Sequence, residues 1–316
     1  KAEGFVPTRD LVIAFTGDEE TGMMSARRMV TTHRELTDAE FALNADGGGG
    51  RLGEDGEAVS YVIQTSEKTY ATFELTVTNP GGHSSTPRTD NAIYDLAAAL
   101  KNIEAYRFPV MVNEATRLYL KGAAEVMPGE VGDAMARLAD NPDDAQAADV
   151  LWHEPEIVGI TRTTCVATML RAGHAENALP QSASAAVNCR VFPGEGVETV
   201  KAALETAIDN EAITVTQREE ATESPMSAFP DEVRDALAKS LTARFGQAIP
   251  MIPTMSSGGT DGMHYRALGY DTVAIGAGAS RPQDIYAHGL NERMRVDAFY
   301  AGLDHWSIVL KELAGG

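Results

Sequence analysis

With 316 residues, 43% of them hydrophobic and 23% charged, the chain is long enough for two globular domains or one large one, and it is neither low-complexity nor disordered in composition. Its 46 acidic and 26 basic side chains leave a formal net charge of −20, a field that repels phosphate backbones and anionic lipid, so nucleic acid and membrane surfaces are not expected partners. No apolar run approaches the ~18 residues of a membrane span. The chain begins with Lys1 rather than Met, so a targeting segment is not in view and localisation, cytoplasmic or periplasmic, stays open.

In chain order, the short apolar run Leu11–Phe15 predicts a strand buried on both faces, Met23–Thr32 a helix, and Phe41–Ala45 a second buried strand ending at Asp46 and four glycines. This strand, helix, strand order predicts an α/β domain with a mostly parallel sheet. After Lys68 the texture changes, since Phe73, Leu75 and Val77 alternate with polar residues as in a half-exposed antiparallel strand. A helix at about Asp90–Glu104, strands at Thr163–Arg171 and Ala183–Phe192, a helix at Val197–Ile208 and a strand at Ile213–Thr216 then predict a small α+β domain with helices on one side of its sheet. The acidic, Ala-rich stretch 109–160 reads as a helical insertion around Asn141–Asp144. From about Glu223 the first texture returns, with a helix at Asp231–Phe245, a strand at Thr272–Ile275 and a last helix at Asp297–Leu313. The expected organisation is therefore a domain formed by 1–67 and 223–316, interrupted by a smaller one at 68–222. Cys165 and Cys189, without a CxxC, are expected as free thiols on neighbouring strands.

Asp18, Glu19 and Glu20 follow the first apolar run, where strand ends of α/β folds open into a ligand crevice, and three adjacent anions call for a cation. Asp46 ends another strand, and His288 lies in the loop before the last helix. Glu20, Asp46 and His288 together make a carboxylate and imidazole set suited to Zn, Mn or Co, with Glu19 left as a base beside the metal.

Six segments, in order, resemble the M20 family of metallopeptidases: Thr16–Gly22, Asn44–Gly47, Pro80–Ser85, Asn177–Pro180 with Asn188–Arg190 and Pro193–Gly194, Ser257–Asp261, and His288 with Asn291 and Glu292. The resemblance implies a zinc-peptidase-like catalytic domain with two metal ions, most simply Zn, and a ferredoxin-like lid through which a homodimer forms. It implies Glu19 as general base, Glu20, Asp46 and His288 as metal ligands, and His83 as an oxyanion donor. It also implies Asn177, Arg190, Gly259 and Thr260 as substrate-binding positions. The expected activity is hydrolysis of an amide bond in a small peptide or N-acyl amino acid with a free carboxylate, Arg190 being suited to that group by its two-pronged guanidinium.

One departure bears on this expectation. Members of the family carry a His-x-Asp motif and a metal-bridging Asp upstream of the segment with which this sequence opens, and neither is present; His33 lies downstream, on the first helix. The expectation is a catalytic domain lacking its first portion, inactive by itself, with an open sheet edge. The rival expectation is a non-catalytic, dimerising module.

Overall fold

The computed structural model describes residues 3–127, 129–284 and 286–315. The strands in chain order are β1 (Phe41–Asn44), β2 (Gly49–Leu52), β3 (Ala58–Glu67), β4 (Thr69–Thr78), β5 (Gly82–His83), β6 (Thr164–Ala172), β7 (Ala178–Leu179), β8 (Ser182–Val191), β9 (Ile213–Gln217), β10 (Met251–Ser256), β11 (Asp271–Ala274) and β12 (Ala279–Ser280). The helices are α1 (Met24–Thr32), α2 (Arg34–Thr37), α3 (Ala92–Ala105), α4 (Glu114–Val126), α5 (Glu130–Asp140), α6 (Ala145–Trp152), α7 (Pro155–Thr161), α8 (Val197–Ile208), α9 (Asp231–Phe245), α10 (Gly262–Ala267) and α11 (Val296–Ala314). They form two compact units, one of Lys1–Glu67, Asn113–Asp140 and Ser224–Gly316, the other of Lys68–Val112 and Asn141–Glu223.

The first unit is built on a mixed sheet of order β1-β11-β3-β2-β12, with β10 also on β3. The pairs β1/β11, β10/β3 and β12/β2 are parallel, whereas β3 runs against β11 and β2. Tyr61 and Ile63 of β3, Val273 of β11, Val233, Leu237 and Leu241 of α9 and Val309 of α11 form one core, the helical residues recurring at three- and four-residue spacing as one buried stripe requires. The pair α4 and α5 belongs to this unit, whereas the sequence reading put the whole of 109–160 in the smaller domain. Gly122 explains how α4 lies on β10: a Cβ there would stand 3.0 Å from Ile252 Cδ1.

Residues 11–15 form no strand. A strand buried on both faces needs ladder partners and covering layers, and among the described residues β1 is paired only with β11. Val12, Ile13 and Phe15 are accordingly 51, 76 and 85% exposed.

The second unit is a four-stranded antiparallel sheet of order β6-β8-β4-β9, with α3 and α8 on one face. The chain order β4-α3-β6-β8-α8-β9 with this strand order is the ferredoxin-like arrangement. Phe73, Leu75 and Val77 of β4 face Leu96 and Ile103 of α3 and Val200 and Leu204 of α8, so the alternation visible in the sequence becomes the buried face. Strand β6 is an edge whose Val166, Met169 and Leu170 are exposed. Cys165 and Cys189 are not free thiols: they lie directly opposite in the β6/β8 register and form a disulfide. Proximity of the strands was legible, but the cross-strand pairing of these two positions brings their Cα atoms to 4.1 Å, and a directly opposed pair is the arrangement in which the two sulfurs meet.

Candidate functional site

In the first unit, Glu19 and Glu20 form a single 3-10 turn, Glu19–Thr21, after Asp18. Asp18 turns back and accepts from Ser25 N at 3.0 Å and from the Ser25 hydroxyl, tying the acidic turn to the start of α1 and holding its own pKa low. Glu20 Oε1 lies 3.3 Å from His288 Nε2, with both side chains open to solvent. His288 has φ +61°, a left-handed conformation rare outside glycine, so the loop before α11 presents this imidazole from a constrained backbone.

Asp46 follows β1. Its backbone N–H donates to Asn44 Oδ1 at 2.8 Å, and Gly47, Gly48 and Gly49 after it all have positive φ. At Gly48 a Cβ would stand 2.6 Å from Val62 O and 2.7 Å from Ala274 O, so only glycine lets the chain turn between β3 and β11 here. Desolvation, then the charges of Asp261 and Glu20, push the Asp46 carboxyl above the usual range. Glu19 is shifted the same way, first by desolvation and then by Asp46, Glu20 and Asp261. Glu19 and Asp46 thus lie within electrostatic reach of each other and of Glu20, Asp261 and His288.

Asp261 joins this group, although the sequence names only Gly259 and Thr260 of its loop as site positions. It accepts from the Thr16 hydroxyl at 2.5 Å, and its buried Oδ1 has no hydrogen-bond partner among the described residues. The available signal was its place in Ser257–Asp261, a glycine loop ending in a carboxylate. Thr260 is buried and accepts from Asn44 Nδ2 at 2.9 Å, so its hydroxyl serves to anchor the loop to the end of β1. Gly259 precedes it, with space beside its Cα bounded by Met23 Cε and Glu67 Oε2.

The second unit holds the other candidates. His83 ends β5 opposite Ala178 of β7, and Ser84 N donates to Asn177 O at 2.9 Å, which brings the His83 and Asn177 segments together. His83 is exposed, with Nδ1 2.8 Å from the Ser85 hydroxyl. Arg190 lies on β8 with its guanidinium over the Tyr70 ring at 4.8 Å, half-buried, its pKa lowered by desolvation.

The donor chemistry of Glu20, Asp46 and His288 suits a divalent cation. The placement falls short of it: among the described residues no three His, Cys, Asp or Glu side chains converge closely enough to hold a metal ion.

Residues 65–216 match the peptidase dimerisation domain of the M20 peptidases. Over that segment the chain is similar to the M20 peptidases. It is 26% identical over 243 residues to an N-fatty-acyl-amino acid synthase/hydrolase of Danio rerio, covering 75% of this chain and 46% of that protein. It is 25% identical over 319 residues to a probable carboxypeptidase S-like protein of Dictyostelium discoideum, covering 98% and 60%. Among solved structures, an M20 family metallo-carboxypeptidase from Sulfolobus solfataricus superposes with a TM-score of 0.63 at 20% identity, over 94% of this chain and 69% of that one. Human carnosine dipeptidase 1 gives a TM-score of 0.59 at 15% identity, over 94% and 64%. These two likenesses show the fold. The chain spans about half to three-fifths of the length of these two relatives. No helix among the described residues is long and apolar enough to cross a membrane.

Proposed function

We propose that the protein is a divalent-metal-dependent hydrolase of an amide bond, acting on a small peptide or N-acyl amino acid with a free carboxylate. The observation that carries this reading is the meeting of Glu20 and His288, with Glu19 and Asp46 in electrostatic reach of both. Three carboxylates around one imidazole are mutually repulsive, and a cation is the species that relieves them. The names of the M20 relatives support the same chemistry. In this reading Glu20, Asp46 and His288 would hold a divalent cation, Zn with Mn or Co as alternatives, together with donors beyond these three, and the cation would supply Lewis acidity toward water and the amide carbonyl. Glu19 takes the water's proton and passes it to the leaving nitrogen. In the lid, His83 donates to the developing oxyanion, Asn177 contacts substrate and Arg190 pairs with its carboxylate; in the first unit, the Gly259–Thr260 loop contacts substrate. The lid forms a homodimer.

The test is Glu19→Gln, with turnover of N-acyl amino acids and dipeptides measured beside metal content. Loss of turnover by orders of magnitude with metal retained supports the reading, and loss of metal moves Glu19 into the ligand set. Arg190→Ala should raise KM for substrates with a terminal carboxylate and leave amidated ones untouched.

A second reading, a dimerising module without catalysis, is favoured by the lack of three converged ligands among the described residues. Zinc titration by calorimetry separates the two, since a module shows no binding that Asp46→Asn or His288→Ala abolishes.

A further inference from the structure

The first unit contains a cavity of about 610 Å³ that Glu19, Glu20, Asp46 and His288 do not line. It lies among the C-terminal turn of α9, the first three turns of α11, the end of β2 with the turn after it, and the residues from β12 to Arg281. Three arginines face it, Arg244, Arg281 and Arg295, in a chain whose acids outnumber its bases by 46 to 26.

Arg295 is matched. Its Nε lies 3.0 Å from Asp297 Oδ1 and its Nη2 2.5 Å from Oδ2, and Asp284 is 4.0 Å from Nη1. The other two are not. Arg244 Nε and Nη1 and Arg281 Nε are shut off from water and have no hydrogen-bond partner among the described residues. Asp304, also on the cavity wall, acts on Arg244 through its charge, and the Phe245 ring lies 5.3 Å beneath the guanidinium. Gly56, at φ +89°, keeps the turn after β2 clear of Arg281, where a Cβ would stand 2.8 Å from Nη2. Guanidinium groups keep their charge, and with those three atoms closed to solvent an oxyanion in the cavity is to be met by the other guanidinium nitrogens of Arg244 and Arg281. The volume is in the range of small-molecule sites, and Leu52, Phe245 and Ile308 give the wall an apolar part.

We propose that this cavity binds a small organic anion, whose carboxylate or phosphate oxygens accept from Arg244 and Arg281 while Leu52, Phe245 and Ile308 cover its apolar portion. The site is separate from the proposed hydrolytic centre and stands whether or not that reading holds.

Calorimetry of the full chain at fixed chloride concentration, with inorganic phosphate and with hexanoate as probes, tests it. Saturable one-to-one binding of at least one probe is expected, weakened at least tenfold in Arg244→Gln and in Arg281→Gln. Binding confined to hexanoate assigns a carboxylate ligand, and binding confined to phosphate assigns a phosphate. Arg281 is half-buried, and its variant keeps the test usable if Arg244→Gln lowers the folded fraction seen by circular dichroism. No binding of either probe, or affinity unchanged in Arg281→Gln, overturns the proposal.

Discussion

Arg266 and Glu67 form an ion pair with 1% and 0% of their side chains exposed, one from α10 and the other from the last position of β3. Arg266 also donates from Nε to Ser224 Oγ at 3.0 Å and from Nη1 to Thr272 O at 3.1 Å, so it stitches three segments together. Removing one partner strands a buried charge. Arg266→Met should destabilise by about 3 to 5 kcal/mol in urea denaturation, and adding Glu67→Leu should recover much of that loss because no charge is then left unmatched. A double variant no more stable than the single one would show that the hydrogen bonds to Ser224 and Thr272, rather than the charges, set the cost.

His305 of α11 is fully buried, with Nδ1 3.0 Å from Ser240 Oγ on α9 and its ring stacked on Tyr61. Burial, reinforced by Arg244, lowers its pKa to about 4 from 6.5. Between these values the unfolded chain binds the proton and the folded one does not, so stability should fall as pH drops from about 6.5 to about 4. The loss is on the order of 3 kcal/mol by linkage. Urea midpoints across this range, compared between the native chain and His305→Gln, should show the variant with the shallower slope.

Lys68 is 1% exposed and donates to Arg162 O at 2.7 Å and Thr164 Oγ1 at 3.2 Å. Burial first, and the charge of Arg190 second, bring its pKa down to about 7, with Glu195 opposing. From about pH 7 up to the unfolded value near 10.5 the unfolded chain binds the extra proton, so this group makes stability rise with pH over that window. Lys68→Met should flatten the profile there; an identical slope in both proteins would mean that the amine stays charged in the fold.

The disulfide joins positions 24 residues apart. By loop-closure entropy a cross-link of that span contributes about 3 kcal/mol. Thiol titration of the unfolded protein without reductant should find no free thiol, and reductant should lower the denaturation midpoint of the native chain while leaving Cys165→Ser/Cys189→Ser unchanged.

Much of this fold was written in local patterns. The apolar face of α8, with Val197, Val200, Leu204 and Ile208, and the span of α9 ended by Gly246 follow from periodicity and a glycine stop, which need no knowledge of the rest of the chain. Strand β3 was not foreseen. Its residues carry no alternation, since eight of its ten positions are buried whether apolar or polar, including Ser66, Gln64 and Glu67. Residues 11–15 failed the opposite way: the sequence has the composition of a buried strand, but burial is decided by ladder partners that composition does not encode. At the candidate site, Asp46 at the end of β1 and His288 in the loop before α11 were legible, whereas Glu19 and Glu20 stand out by residue type alone, because the strand expected before them does not form. That Asp261 shares their electrostatic field depends on β1 and α10 being brought side by side, a tertiary fact. The cystine was missed because two cysteines on adjacent strands give no register from spacing alone.

The Asn44 carboxamide ends β1 with two duties, its oxygen accepting from Asp46 N and its nitrogen donating to Thr260 Oγ1. Since Thr260 directly precedes Asp261, one planar amide acts as a rigid spacer between the backbones that present two carboxylates. A displacement of the glycine loop therefore rotates or breaks that spacer and is felt at the Asp46 backbone. Asn44→Asp would keep the acceptor for Asp46 N but put an acceptor in place of the donor to Thr260, so the link to the glycine loop would depend on the Thr260 hydroxyl turning to donate.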